Sequence, residues 1–208
     1  MIRTVVVDDQ QLIRDLVRTK LESVPDIRVV AEASSGEEAR RIVPSSGADV
    51  VVMDLSMPGI GGIEATRRLL NAIPHLKVVG LSVYVDGPFP AKFIAAGGIG
   101  YVSKSARPAE LIEAVRRVAR GEPYMSRDVA EAIIKNRSAN IDCTNVLTDR
   151  EMQVWKLLAD GIDIADIAVQ LKLSIKTVYS HRRNLMEKLN ASNDVQLARF
   201  AREHGITP

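Results

Sequence analysis

Over residues 1 to 120 the chain alternates between two hydrophobic periods, and it does so five times. Short apolar runs suited to buried strands occur at Thr4–Val7, Arg28–Ala31, Val50–Met53, Val78–Leu81 and Ile99–Val102. Between them lie amphipathic stretches of helical period at Leu12–Ser23, Glu37–Val43, Ile63–Ala72, Ala91–Ala96 and Ala109–Arg120. Few architectures accept that alternation with turns this short. Strands that are apolar on both faces need cover on both faces, and an intervening helix makes successive strands parallel. The pattern predicts an α/β unit, a five-stranded parallel sheet of (βα)5 type. Ligands of such sheets collect beyond the carboxyl ends of the strands, where the strand order reverses.

Gly121-Glu122-Pro123 ends the last of these helices, Ser126 is placed to cap a short helix over Arg127–Lys135, and Asn136–Asn145 is polar and unpatterned. The organisation expected is therefore an α/β domain over 1–120, a linker with a short helix over 121–145, and a small all-α domain over 146–208. In that last part Thr148-Asp149-Arg150-Glu151 has the form of a capping box opening a helix to about Ala159. Asp163 is placed to cap a second helix, Ile164–Leu171, and Ser174 a third, to about Leu189. Ser192 or Asn193 starts a fourth. Two short helices joined tightly at Lys172-Leu173 read as helix-turn-helix.

The strand ends carry the chemistry. Asp8 and Asp9 follow the first strand, Asp54 closes the third in "VVMDLSMPG", Ser82 follows the fourth and Lys104 the fifth. In a parallel sheet these ends share one edge. Converging carboxylates repel each other unless a cation joins them, and Mg²⁺ prefers such oxygen ligands. A hydroxyl, an ammonium and a metal around one carboxylate would neutralise an incoming phosphoryl group. Singly, each residue also has a bland reading as a helix cap, a loop hydroxyl or a solvated charge. Pro58 and Gly59 would turn the chain away and leave Asp54 open.

Residues 1–120 resemble the receiver domain of two-component response regulators, a flavodoxin-like fold, through Asp8-Asp9, "MDLSMPG", Ser82 and "GYVSK". The resemblance implies that Asp54 accepts phosphate from a histidine kinase. It also implies that Asp8, Asp9, Asp54 and the Ser56 backbone carbonyl hold Mg²⁺, that Ser82 and Lys104 bind phosphoryl oxygens, and that Tyr101 is an aromatic switch. The alternative for Tyr101 is a half-buried packing ring. Ser105 stands where many receivers have Pro, and Gln10 where a His often follows the acids. Gly97-Gly98-Ile99-Gly100 reads as flexible, so the switch face is expected to be mobile.

Residues 146–204 resemble the LuxR-type DNA-binding domain of the NarL/FixJ regulators, in "LTDREMQVWKLLADG", "IADIAVQL" and "LSIKTVYSHRRNLMEKL". Within that family "VDGPFPAKFIAAGG" and "YVSKSA" are similar to the GacA/UvrY-like branch. On the third helix Val178, Leu185 and Leu189 form a core stripe with Ile175 alongside, while Lys176, Tyr179, Ser180 and Arg183 share the opposite face. By resemblance, Tyr179, Ser180 and Arg183 reach base edges of double-stranded DNA. Lys176, Thr177 and His181 touch phosphates or support the helix. Ile164-Ala165 replaces an Asn-Lys pair common at the start of the second helix. The expected whole is a phosphorylation-controlled transcription regulator that dimerises when phosphorylated.

The 46% hydrophobic and 26% charged composition suits a globular protein, and the net charge of +2 hides a basic focus at Lys176, Arg182, Arg183 and Lys188. No run has the length of a membrane span or signal core, so a location in the bacterial cytoplasm, without membrane contact, is expected. One cysteine, Cys143, excludes an intrachain disulfide. Met152 and Trp155, at helical spacing with Leu158, read as core rather than as a ligand pocket. A phosphatase with an aspartyl nucleophile would want a second Asp where Ser56 stands, so no metabolite-converting enzyme is expected. A module that only binds partners would not need the full acidic set.

Overall fold

A computed structural model describes residues 1–86, 88–136, 147–189, 191–203 and 206. Cys143 and residues 137–145 of the expected linker lie outside the described residues.

The α/β unit alternates β1 (Ile2–Val7), α1 (Gln11–Leu21), β2 (Ile27–Ala33), α2 (Gly36–Ser46), β3 (Val50–Asp54), α3 (Gly61–Ala72), β4 (Lys77–Ser82), α4 (Phe89–Ala95), β5 (Gly100–Ser103) and α5 (Pro108–Ala119). The sheet order is β2-β1-β3-β4-β5-β6, every pairing parallel. All five residues of β3 are buried, as expected of a central strand covered on both faces. Helix α5 shows how cover is achieved: Leu111, Ala114, Val115 and Val118 repeat at i, i+3, i+4 and i+7 and are buried against the sheet.

The strand count corrects the expectation of five. Tyr124–Met125 forms β6 beside β5, in a stretch read from sequence as the start of a linker. Two residues are too few to show an alternation, and what holds them is tertiary. Tyr124 N–H donates to the Ile99 carbonyl, Ser126 N–H to the Tyr101 carbonyl, and Ser126 Oγ accepts the Ser103 N–H at 3.1 Å. Helix α6 (Arg127–Asn136) follows directly. The Ser126 hydroxyl also donates to Asp128, at 2.7 Å. Ser105, where Pro is common, belongs to the same group: its hydroxyl lies 2.6 Å from that of Ser103.

The helical unit consists of α7 (Asp149–Ala159), α8 (Ile164–Leu171), α9 (Ile175–Leu189) and α10 (Asp194–Glu203). Its ends are as the caps dictate. Thr148 and Glu151 form the capping box, and Asp163 accepts from Ala165 and Asp166. Ser174 accepts from Thr177, and Asn193 rather than Ser192 caps α10 through Gln196. Lys172 adopts φ 55°, the left-handed conformation that ends α8 and swings the chain into α9. Trp155 is buried and its Nε1 donates to the Leu197 carbonyl at 2.8 Å, tying α7 to α10.

The two units pack against each other. Arg150 Nη1 donates to the Gly59 carbonyl at 2.5 Å, and Gly59 N–H donates to the Gln170 carbonyl at 3.3 Å. Arg67 of α3 pairs with Asp149 at 2.8 Å, and Lys92 of α4 donates to the Leu147 carbonyl at 2.5 Å. Lys156 lies 4.8 Å from the centroid of the Tyr84 ring, which stacks on Phe89. A cavity of about 100 Å³ remains between Leu55, Pro58 and Phe89 on one side and Met152, Leu157 and Leu171 on the other.

Candidate functional site

The sheet order makes β1 and β3 neighbours, with Val7 opposite Met53, so Asp8 emerges beside Asp54. The carboxylates of Asp8, Asp9 and Asp54 lie within 4.8 Å of one another. Asp8 and Asp54 are buried and Asp9 is exposed. Lys104 reaches across from the end of β5, its Nζ 2.7 Å from Asp8 and 3.1 Å from Asp54. Its backbone is fixed by a 2.7 Å hydrogen bond from Lys104 N–H to the Ser82 carbonyl. Ser82 is fully buried at the end of β4, and its Oγ accepts the Tyr84 N–H. Five residues from four strand ends thus meet at one edge.

Burial raises the pKa of Asp54, and the Asp8 charge adds to the rise, while Lys104 and the Ser56 N–H oppose it. Burial also works against the Lys104 ammonium, but Asp54 and Asp8 outweigh it and raise its pKa. The fold thus sets two buried carboxylates against one ammonium, so that the ionisation of each depends on the others. Two backbone features maintain it. Gly59, at φ 77°, makes the turn that takes the chain out of the edge. Gly62 brings α3 so close that a Cβ there would stand 2.0 Å from the Asp54 carbonyl oxygen.

The donor set suits a hard divalent cation: three carboxylates, all oxygen, with one open to solvent. Ser56 N–H donates to Asp54 at 3.1 Å, and the Ser56 hydroxyl is buried without a partner. Tyr101 is fully buried rather than half-buried. Its hydroxyl donates to the Tyr84 carbonyl at 2.8 Å, its ring meets Phe93 edge-on, and burial raises its pKa. The phenol therefore holds the backbone of Tyr84, whose ring stacks on Phe89 and is met by Lys156.

On α9, Lys176, Tyr179, Ser180 and Arg183 are exposed on one face, although the α/β unit is docked on α7 and α8. Thr177 and His181 stand apart from that face. The Thr177 hydroxyl lies 2.7 Å from that of Ser174, inside the first turn. His181 is half-buried in a cleft with Arg67, Arg68 and Thr148, and burial lowers its pKa. The basic focus narrows in the fold, since Arg182 pairs with Asp194 at 2.8 Å and Lys188 with Glu151 at 2.7 Å. Arg183 remains 76% exposed at its side chain. Ile175, placed beside the core by its spacing, is 51% exposed. It opens the helix, where the turn from α8 leaves one side uncovered. Ile164 is half-buried against the core, which accounts for an apolar residue in place of a polar one.

Comparison with known proteins agrees with both parts of the molecule. The family described as response regulator receiver domain matches residues 4–116, and the family described as bacterial regulatory proteins, luxR family, matches residues 145–201. The chain is 39% identical to the response regulator UvrY of Escherichia coli (strain K12), with 99% of this chain and 96% of that protein aligned. It is also 39% identical to the response regulator GacA of Pseudomonas viridiflava, over 99% and 98% of the two chains. Among solved structures, RcsB of Salmonella enterica serovar Typhimurium, bound to promoter rprA with the phosphomimetic BeF3-, is similar at a TM-score of 0.72 and 25% identity. That match covers 96% of this chain and 97% of RcsB.

Proposed function

This chain belongs to the response regulators that join a receiver domain to a LuxR-type DNA-binding domain, and we propose that Asp54 is the carboxylate through which it is switched. It is a phosphorylation-controlled regulator of transcription. In this reading residues 1–120 are the receiver, 121–145 the linker and 146–208 the output domain. A partner histidine kinase supplies the phosphoryl group. An Asp54 carboxylate oxygen forms a bond to phosphorus as the bond from phosphorus to the donor nitrogen breaks, and the imidazole leaves. The observation that carries this is the Lys104 ammonium set between Asp8 and Asp54, 2.7 and 3.1 Å away. It is placed to move from a carboxylate to a phosphoryl oxygen.

Asp8, Asp9, Asp54 and the Ser56 carbonyl would hold Mg²⁺, which when bound neutralises charge on the transferring group. Ser82 would donate its hydroxyl to a phosphoryl oxygen. Because the Ser82 Oγ now accepts the Tyr84 N–H and the Tyr101 hydroxyl holds the Tyr84 carbonyl, that movement would be felt at Tyr84 and through it at Lys156. The receiver would assist only its own phosphotransfer. Labelled phosphate transferred to the wild type from a small donor tests the assignment.

DNA is read by Tyr179, Ser180 and Arg183, with Lys176 on phosphate. That face is exposed while the domains are docked, so docking does not regulate by covering it. It would regulate by holding the output domains apart from one another. Release would let a homodimer seat two of them on half-sites about one helical turn, or a multiple of it, apart. The Arg183→Ala variant is expected to lose about 1–3 kcal/mol of specific binding and to relax preference at one position. A gel shift with unchanged affinity and preference would count against the assignment. Arg150→Ala removes a charged hydrogen bond to Gly59, an interaction of about 1.5–3 kcal/mol. The expected result is a larger radius of gyration without phosphate, measured by small-angle scattering. An unchanged radius would show that the contact does not hold the domains together.

A further inference from the structure

We propose that Ile175 is a specificity-determining residue whose side chain meets the 5-methyl group of a thymine in the major groove. The proposal rests on the assignment of α9 as the reading helix and names a contact that assignment lacks. Three apolar residues of α9, Val178, Leu185 and Leu189, are buried, whereas Ile175 is 51% exposed. It stands one turn ahead of Tyr179, at i and i+4 on the same flank. Its position is fixed: Ser174 Oγ accepts the Thr177 N–H at 3.0 Å, and the left-handed Lys172 sets the direction in which α9 starts. The N-terminal residues of a recognition helix are those that approach base edges. A branched aliphatic side chain makes no hydrogen bond there, and the apolar feature of that groove is the thymine methyl. The flanking Lys176 and Arg183 favour a polyanion over a protein surface as the occupant.

The test uses the full chain and a duplex it selects from a randomised pool. Each thymine of that duplex is replaced in turn by deoxyuridine, which removes one methyl group and leaves every hydrogen bond. The wild type is expected to lose affinity about threefold to fourfold at one thymine per half-site, the effect of one buried carbon. Ile175→Ala is expected to be indifferent to that replacement, Ile175→Val to keep part of the preference, and Arg183→Ala to keep it in full. A wild type that tolerates every replacement overturns the proposal whatever the variants do. So does an Ile175→Ala variant that retains the wild-type penalty. Failure to enrich any duplex would overturn the reading of α9 itself.

Discussion

Asp54→Asn protein is expected to take up no phosphate from acetyl phosphate under conditions that label the wild type. The amide has nearly the shape of the carboxylate but no anionic oxygen to attack phosphorus, and no neighbour replaces it. Asp8 is buried beside it and held by Lys104 and the Gln10 N–H. The loss should come without unfolding. Asp54 has a raised pKa in the fold, so its ionised form is disfavoured there relative to the unfolded chain. A raised carboxyl pKa means the folded state binds more protons through that range, and stability from this group falls as pH rises past the ordinary carboxylate value. An amide cannot ionise and escapes that loss. The variant should therefore melt no lower than wild type at neutral pH, with the difference shrinking as the medium is acidified below the normal carboxylate range. Labelled phosphate on the variant would refute the assignment of the acceptor. A melting point well below wild type at neutral pH would refute the account of the site's electrostatics.

The acidic edge is legible in sequence because it needs only two inferences. The strands are parallel, so their ends share an edge, and charged or hydroxylated residues stop the apolar runs there. What the sequence does not carry is whatever depends on contacts between distant residues. Strand β6 has no periodic signal and is held by hydrogen bonds to Ile99, Tyr101 and Ser103. The glycine run before β5 reads as flexible, yet a Cβ on Gly98 would stand 2.1 Å from the Phe93 ring, so that glycine makes room for packing. Spacing alone placed Ile175 near the core, because a helical wheel does not know where the neighbouring helix stops. Thr177 and His181 carry two readings in sequence, phosphate contact or support of the helix, and only the fold shows that Thr177 meets Ser174 in the first turn while His181 sits in a cleft with Arg67 and Arg68 of α3. The docking pairs, Arg150 with Gly59 and Arg67 with Asp149, are 91 and 82 residues apart and leave no local trace.

Trp155→Ala should separate the two halves of the molecule. The indole is fully buried, and its Nε1 holds the Leu197 carbonyl at 2.8 Å. Removing a buried aromatic side chain of this size costs about 3–5 kcal/mol, and the Leu197 carbonyl loses its donor besides. Four helices over some sixty residues are on the order of the smallest domains that fold alone, with little stability in reserve. The helical unit is therefore expected to be largely unfolded in the variant, while the receiver, with its own sheet and its own core around Val50, Val52 and Val79, persists. The readouts follow from that division. Thermal melting should keep the receiver transition and lose that of the helical unit, labelled phosphate should still reach Asp54, and specific DNA binding should be lost. Trp155→Phe keeps most of the buried area and gives up the hydrogen bond, so it should lie closer to wild type in all three. Docking through Met152, Arg150 and Lys156 works against the division, since α7 also faces the receiver. If the interface is strong enough to couple the domains, phosphate uptake will fall together with DNA binding, and a single lowered transition would overturn the view that receiver and output domain fold as separate units.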